Sequence, residues 1–70
     1  MAADDTVRRA IITKLETDGI SQRQLGRMLG VSHNWVHRHL TGDAEFTVSD
    51  VERIADVLGV PMSSLLSEVA

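Results

Sequence analysis

The segment LGRMLGVSHNWVHRHLTG, residues 25–42, carries three histidines, two arginines and the chain's one tryptophan, and it holds no carboxylate. Only Gly30, Val31 and Ser32 separate an apolar-periodic stretch (Leu25, Met28, Leu29) from a second one (Trp35, Val36, Leu40). A connection this short suits two helices that cross at about 90–120° rather than lie side by side. Such a crossing requires a small residue where the backbones approach, and Gly26 stands four residues before the turn. Gly30 is free to take the positive φ that a Cβ resists, and Val31 and Val36 fall where the two helices share a core.

The same punctuation runs outward through the chain. Gly19, Gly30, Gly42, Gly59 and Pro61 each fall between segments of helical periodicity. Val7, Ala10, Ile11 and Leu15 predict a first helix near 5–18, with Asp4 or Asp5 as its N-cap. Ser21 with Gln24 forms a capping box for a second helix near 22–29, and Ser32 caps a third near 33–41. Thr47 with Asp50 opens a fourth near 48–58, whose Val51, Ile54, Ala55 and Leu58 share one face. Pro61 leads a last short helix near 62–68, with Met62, Leu65, Leu66 and Val69 as its stripe. No alternating run is long enough for a strand. The expected fold is an all-α, compact five-helix bundle in one domain over 5–68. Residues 1–4 are expected to be a disordered N-terminus, and 41–47 to be the longest internal loop.

Seventy residues with 43% hydrophobic content fit one small aliphatic core, because a chain of this size buries only about 60% of its unfolded surface. The absence of cysteine excludes disulfides and thiolate metal sites and points to a reducing cytoplasm. Apolar runs of at most three residues exclude a membrane span or a signal peptide within this sequence. The net charge of −3 is unevenly spread. Residues 21–42 carry Arg23, Arg27 and Arg38 against no acid, while residues 43–70 carry Arg53 against six acids. A local cationic surface on an acidic chain fits a polyanion partner better than the total charge implies.

Taken together, Gln22, Gly26, Gly30, Val31, Ser32 and Val36 match the spacing of a helix-turn-helix. SQRQLGRMLGVS, the TG after the third helix and VERIADVLGVPMSSLL resemble the Cro and phage-repressor (XRE-type) family of helix-turn-helix DNA-binding domains. The likeness covers residues 21–66. It implies that the third helix enters the major groove of double-stranded DNA, with the positions of His33, Asn34, His37 and Arg38 facing base edges. Arginine spans guanine O6 and N7 and asparagine pairs with adenine N6 and N7, so these residue types suit direct readout. The likeness also assigns Gln22 to a phosphate and to bracing the side chain at position 33. Arg23, Arg27, Ser32 and Thr41 flank the groove-facing helix and are further phosphate candidates. The alternative for each is a solvated helix face. This sequence departs from the family at His39, where an apolar residue is usual, and at Leu40, where Glu is common. Those two positions predict an apolar seam rotated slightly about the third helix. Trp35 is expected to be half-buried against Phe46 or the fourth helix.

His33 and His37 are four residues apart and share a helix face, yet metal binding is not expected. A hydrolytic zinc helix places Glu after the first histidine, where this chain has Asn34, and nothing nearby completes a tetrahedral set. There is no phosphate loop or nucleophile motif, so no enzyme and no cofactor are expected. The resemblance implies a transcriptional regulator of the short Cro-like or immunity-repressor-like phage kind, acting in the cytoplasm at the nucleoid of a bacterial host. Brevity favours the Cro-like form. With little apolar surface to spare, a monomer or weak homodimer that pairs on DNA is expected. An antitoxin of a toxin–antitoxin pair, or a protein-interaction module that kept the fold, are the alternatives.

Overall fold

The computed structural model describes residues 3–66, and five helices account for most of them: α1 (Ala3–Asp18), α2 (Gln22–Leu29), α3 (His33–Thr41), α4 (Val48–Leu58) and α5 (Met62–Leu66). No strand occurs among the described residues. α1 begins at Ala3 rather than near residue 5, so Asp4 and Asp5 lie within its first turn and do not cap it. A carboxylate in the first turn of a helix complements the positive end of its dipole, so Asp5 suits a helix that starts at Ala3. Residues 1–2, the end of the last expected helix and Val69 lie outside the described residues.

Local chemistry sets the ends of α2 and α4. Ser21 Oγ accepts the Gln24 amide at 3.0 Å while Gln24 Oε1 accepts the Ser21 amide at 2.8 Å. Thr47 and Asp50 repeat the exchange at 3.1 and 2.9 Å. Each box satisfies two amides that would otherwise lack partners at a helix start. α2 ends at Gly30 with φ 75°, and the Val31 amide then reaches back to the Gly26 carbonyl at 2.9 Å. This turn aims α3 across α2.

Gly26 is where the two backbones meet. A Cβ built on it would lie 3.0 Å from the Val31 carbonyl oxygen and 3.4 Å from that of Ser32. Backbone atoms surround the site, so an added methyl has no flexible side chain to displace. The expected close approach is real.

Ile11, Leu25, Val36 and Ile54, one from each of the first four helices, form the centre of the core. Leu65 of α5 is buried, and α5 packs against α1 and α4. α2 packs most extensively on α3 and also touches α4. Burial of aliphatic area contributes roughly 25 cal/mol per Å², and at this chain length that leaves little surplus over chain entropy. The helix ends therefore matter to the balance.

Two arginines from the acidic parts of the chain close helix ends. Arg53 of α4 donates from Nη2 to the Leu29 carbonyl at the end of α2, at 2.6 Å. Arg8 of α1 donates from Nε to the His39 carbonyl at 3.1 Å, near the end of α3, and its guanidinium also pairs with Asp5. The last carbonyls of a helix carry partial negative charge, so a cation there both satisfies an acceptor and complements the dipole. Arg8 and Arg53 thus hold the two ends of the crossed pair from outside it.

Candidate nucleic-acid interface

α3 buries Val36, His39 and Leu40. At about 100° per residue, His39 lies about 60° from Val36 on one side and Leu40 about 40° on the other. The outward centre of α3 therefore falls between Asn34 and Arg38. Both side chains are exposed, as are His33, His37 and Thr41. The rings of His33 and His37 stand with centroids 6.3 Å apart along one flank. His33, Asn34, His37 and Arg38 are all exposed on α3, and the seam opposite Asn34 and Arg38 consists of Val36, His39 and Leu40.

Around this surface, Arg23 and Arg27 are exposed on α2, and Gln22 is half-buried at the first position of that helix. Ser32 Oγ accepts the Trp35 amide at 3.0 Å, which sets the start of α3. The Thr41 hydroxyl donates to the Arg38 carbonyl at 3.2 Å and so is already engaged within α3. Arg8 and Arg53 are turned to helix-end carbonyls, and the arginines of α2 and α3 stand apart from them. Arg23, Arg27 and Arg38 project from a segment without carboxylates, giving a cationic face that no neighbouring acid in that segment neutralises.

The opposite flank of α3 is a ring cluster that the sequence did not reveal. The Trp35 indole and the His39 imidazole stack with centroids 3.7 Å apart at 22°. His39 also meets Phe46 of the following loop, at 5.2 Å and 50°. The ring partner of Trp35 is thus His39, which in turn contacts Phe46. His39 Nδ1 lies 2.8 Å from the Trp35 carbonyl oxygen. A carbonyl only accepts, so Nδ1 carries the proton and donates. Nε2 then faces Asp50 Oδ2 at 4.0 Å, from the first turn of α4. Residues four apart share a helix face, and that spacing between Trp35 and His39 was the one available signal.

Among the described residues, no group of three or more His, Cys, Asp or Glu is placed to hold a metal ion, and no helix is long and apolar enough to cross a membrane.

Two short helices crossed about a glycine, with a polar, acid-free outer helix, define a helix-turn-helix domain. The family model described as "helix-turn-helix domain" matches residues 5–67. The chain belongs to this helix-turn-helix family of DNA-binding domains, of XRE type. Its fold is similar to the crystal structure of a hypothetical transcription factor, NHTF, from Neisseria, with a TM-score of 0.85 and 23% sequence identity. That alignment covers 93% of this chain and 75% of the other. No curated protein matches the chain significantly.

Proposed function

We propose that this chain is a sequence-specific regulator of transcription that binds an operator-like site in double-stranded DNA by laying α3 in the major groove. In this proposal it is a short Cro-like or immunity-repressor-like phage protein acting at the nucleoid in the bacterial cytoplasm. The observation that carries the proposal is the outer face of α3. His33, Asn34, His37 and Arg38 are all exposed, Asn34 and Arg38 opposite a packed seam, and the whole crossed pair is free of carboxylates. Asn34 and Arg38 lie nearest the outward centre and are assigned to base edges, with His33 and His37 beside them. Gln22, Arg23, Arg27, Ser32 and Thr41 are assigned to phosphates, which fix register without reading sequence. Gly26 and Gly30 set the geometry that presents them.

The protein is proposed to be a monomer or weak homodimer in solution that pairs on DNA. Of the last apolar stripe, Leu65 is buried in the core and Met62 and Leu66 are half-buried. Among the described residues of that stripe little apolar side chain stays open, which supports weak self-association, since a stable interface takes roughly 1,000 Å².

Titrating salt against duplexes enriched from a random library, and against scrambled duplexes, tests the assignment. A DNA binder loses affinity linearly in log salt through counterion release. Arg38→Ala is expected to cost about 1–3 kcal/mol on the preferred site and to relax one base position, while Arg23→Ala weakens all sequences alike and lowers the salt slope by about one. Equal losses on both duplexes for Arg38→Ala would make it a phosphate contact. Salt-independent or absent binding would point instead to a protein-interaction module.

A further inference from the structure

His39 is the one buried polar or charged residue of the described core, at 8% exposure. It sits beside Val36 and Leu40 in a seam that is otherwise aliphatic. A leucine there would bury apolar area with no polar group to satisfy. The imidazole makes one hydrogen bond, from Nδ1 to the Trp35 carbonyl at 2.8 Å, while Nε2, 4.0 Å from Asp50, is too far for a second and is not fully enclosed. An intramolecular hydrogen bond returns little more than desolvation of its groups costs. For stability alone, histidine is an inferior choice at this position.

Its contacts show what it does instead. The residue joins four parts of the molecule. The ring stacks on Trp35 of its own helix, meets Phe46 of the loop and faces the Asp50 carboxylate of α4, and the His39 carbonyl accepts Arg8 Nε from α1 at 3.1 Å. Asp50 is itself fixed, because Oδ2 accepts the Thr47 amide at 2.9 Å. Apolar packing alone is non-directional and tolerates small rotations of a helix on its neighbours. A stacked ring pair and a hydrogen bond have preferred geometries and do not. We infer that His39 is a positioning residue for sequence reading: through its Trp35 stack and its polar contacts it locks the rotation of α3, and with it the aim of Asn34 and Arg38. The inference rests on α3 being the DNA-reading helix. It adds a residue that touches no DNA.

The test is His39→Leu, which keeps the seam apolar and filled while removing the ring and both ring nitrogens, beside His39→Phe, which restores only the stacking surface. Three properties separate positioning from mere filling. First, His39→Leu is expected to melt no lower than the parent protein. Second, it should hold scrambled duplex within about twofold while losing about tenfold on the preferred duplex, the size of one spoiled base contact. Third, amide hydrogen exchange without DNA should speed up along α3 and stay unchanged in α4, since local opening need not follow global stability. His39→Phe should recover the near-ultraviolet circular dichroism of the sole tryptophan and part of the discrimination.

Lower stability with equal losses on both duplexes would overturn the inference, as would unchanged discrimination, and His39 would then be a core residue only. If the parent protein shows no preference among duplexes, the DNA-reading proposal fails first. The exchange measurement still judges the lock, and unchanged α3 exchange in His39→Leu would sink it independently.

Discussion

α3 and α4 are built from similar parts and held in place differently. Each starts at a hydroxyl N-cap, Ser32 or Thr47, and each ends at a glycine with positive φ, Gly42 or Gly59. α4 then buries Val51, Ile54, Ala55 and Leu58, an apolar stripe at regular helical spacing. α3 buries two aliphatic residues and a histidine. Its position relies on a glycine crossing, an arginine from α1 on its last turn and a ring cluster on its flank. The comparison teaches that α4 is secured by area, while α3, the helix proposed to read DNA, leans more on directional contacts. A helix that spends its outer face on solvent-exposed polar groups has less apolar surface to anchor it, so geometry supplies the rest.

The largest effect should come from the α4 side. Ile54→Ala removes a fully buried side chain at the centre of the core, and large-to-alanine changes there cost about 2–5 kcal/mol. In a small domain that is a large part of total stability, so urea unfolding should show a sharply lowered midpoint. A loss below about 1 kcal/mol would mean that α4 is not anchored by area in the way described.

Next is the crossing itself. Gly26→Val forces side-chain atoms onto the Val31 and Ser32 carbonyls, and overpacking of this kind costs about 1–3 kcal/mol. Removing glycine from a helix interior returns part of that. Thermal melting should nonetheless show net destabilisation, accompanied by reduced affinity for the preferred duplex. A neutral outcome would show that the turn can yield and that α3 is less fixed than the contacts imply.

The smallest effect separates the two kinds of arginine. Arg53→Met keeps the aliphatic stem of the side chain and removes the donor to the Leu29 carbonyl. A loss of about 1 kcal/mol in stability is expected, with the salt slope of DNA binding unchanged. Arg23→Ala should do the reverse, leaving stability near that of the parent protein while lowering the slope. If Arg53→Met lowers the slope instead, Arg53 belongs with the phosphate contacts and the partition of the arginines is wrong.

The fold was largely legible because its signals are local. Capping boxes at Ser21–Gln24 and Thr47–Asp50, glycine stops and 3.6-residue periodicity act within a few residues, and the observed α2, α3 and α4 span the expected ranges. The start of α1 was not legible. Two acids before an apolar stripe suit an N-cap and a first turn equally, and nothing in the sequence chose between them. On α3, the exposure of Asn34, His37 and Arg38 followed from the position of Val36, since one buried residue fixes which side faces out, whereas His33 entered through its place at the helix start and the family resemblance.

By itself, then, the sequence determined five helices, the tight turn at Gly30 and an acid-free segment suited to a polyanion. It also marked His39 as foreign to its place in the seam. Only the tertiary structure decided what that histidine touches, and that Arg8 and Arg53 are turned onto helix ends while Arg23, Arg27 and Arg38 face out. The reason is range. Caps, turns and periodicity are interactions between near neighbours in the chain, whereas Arg8 meets the His39 carbonyl across 31 residues and Arg53 meets the Leu29 carbonyl across 24. Pairings over such distances exist only once the helices have packed.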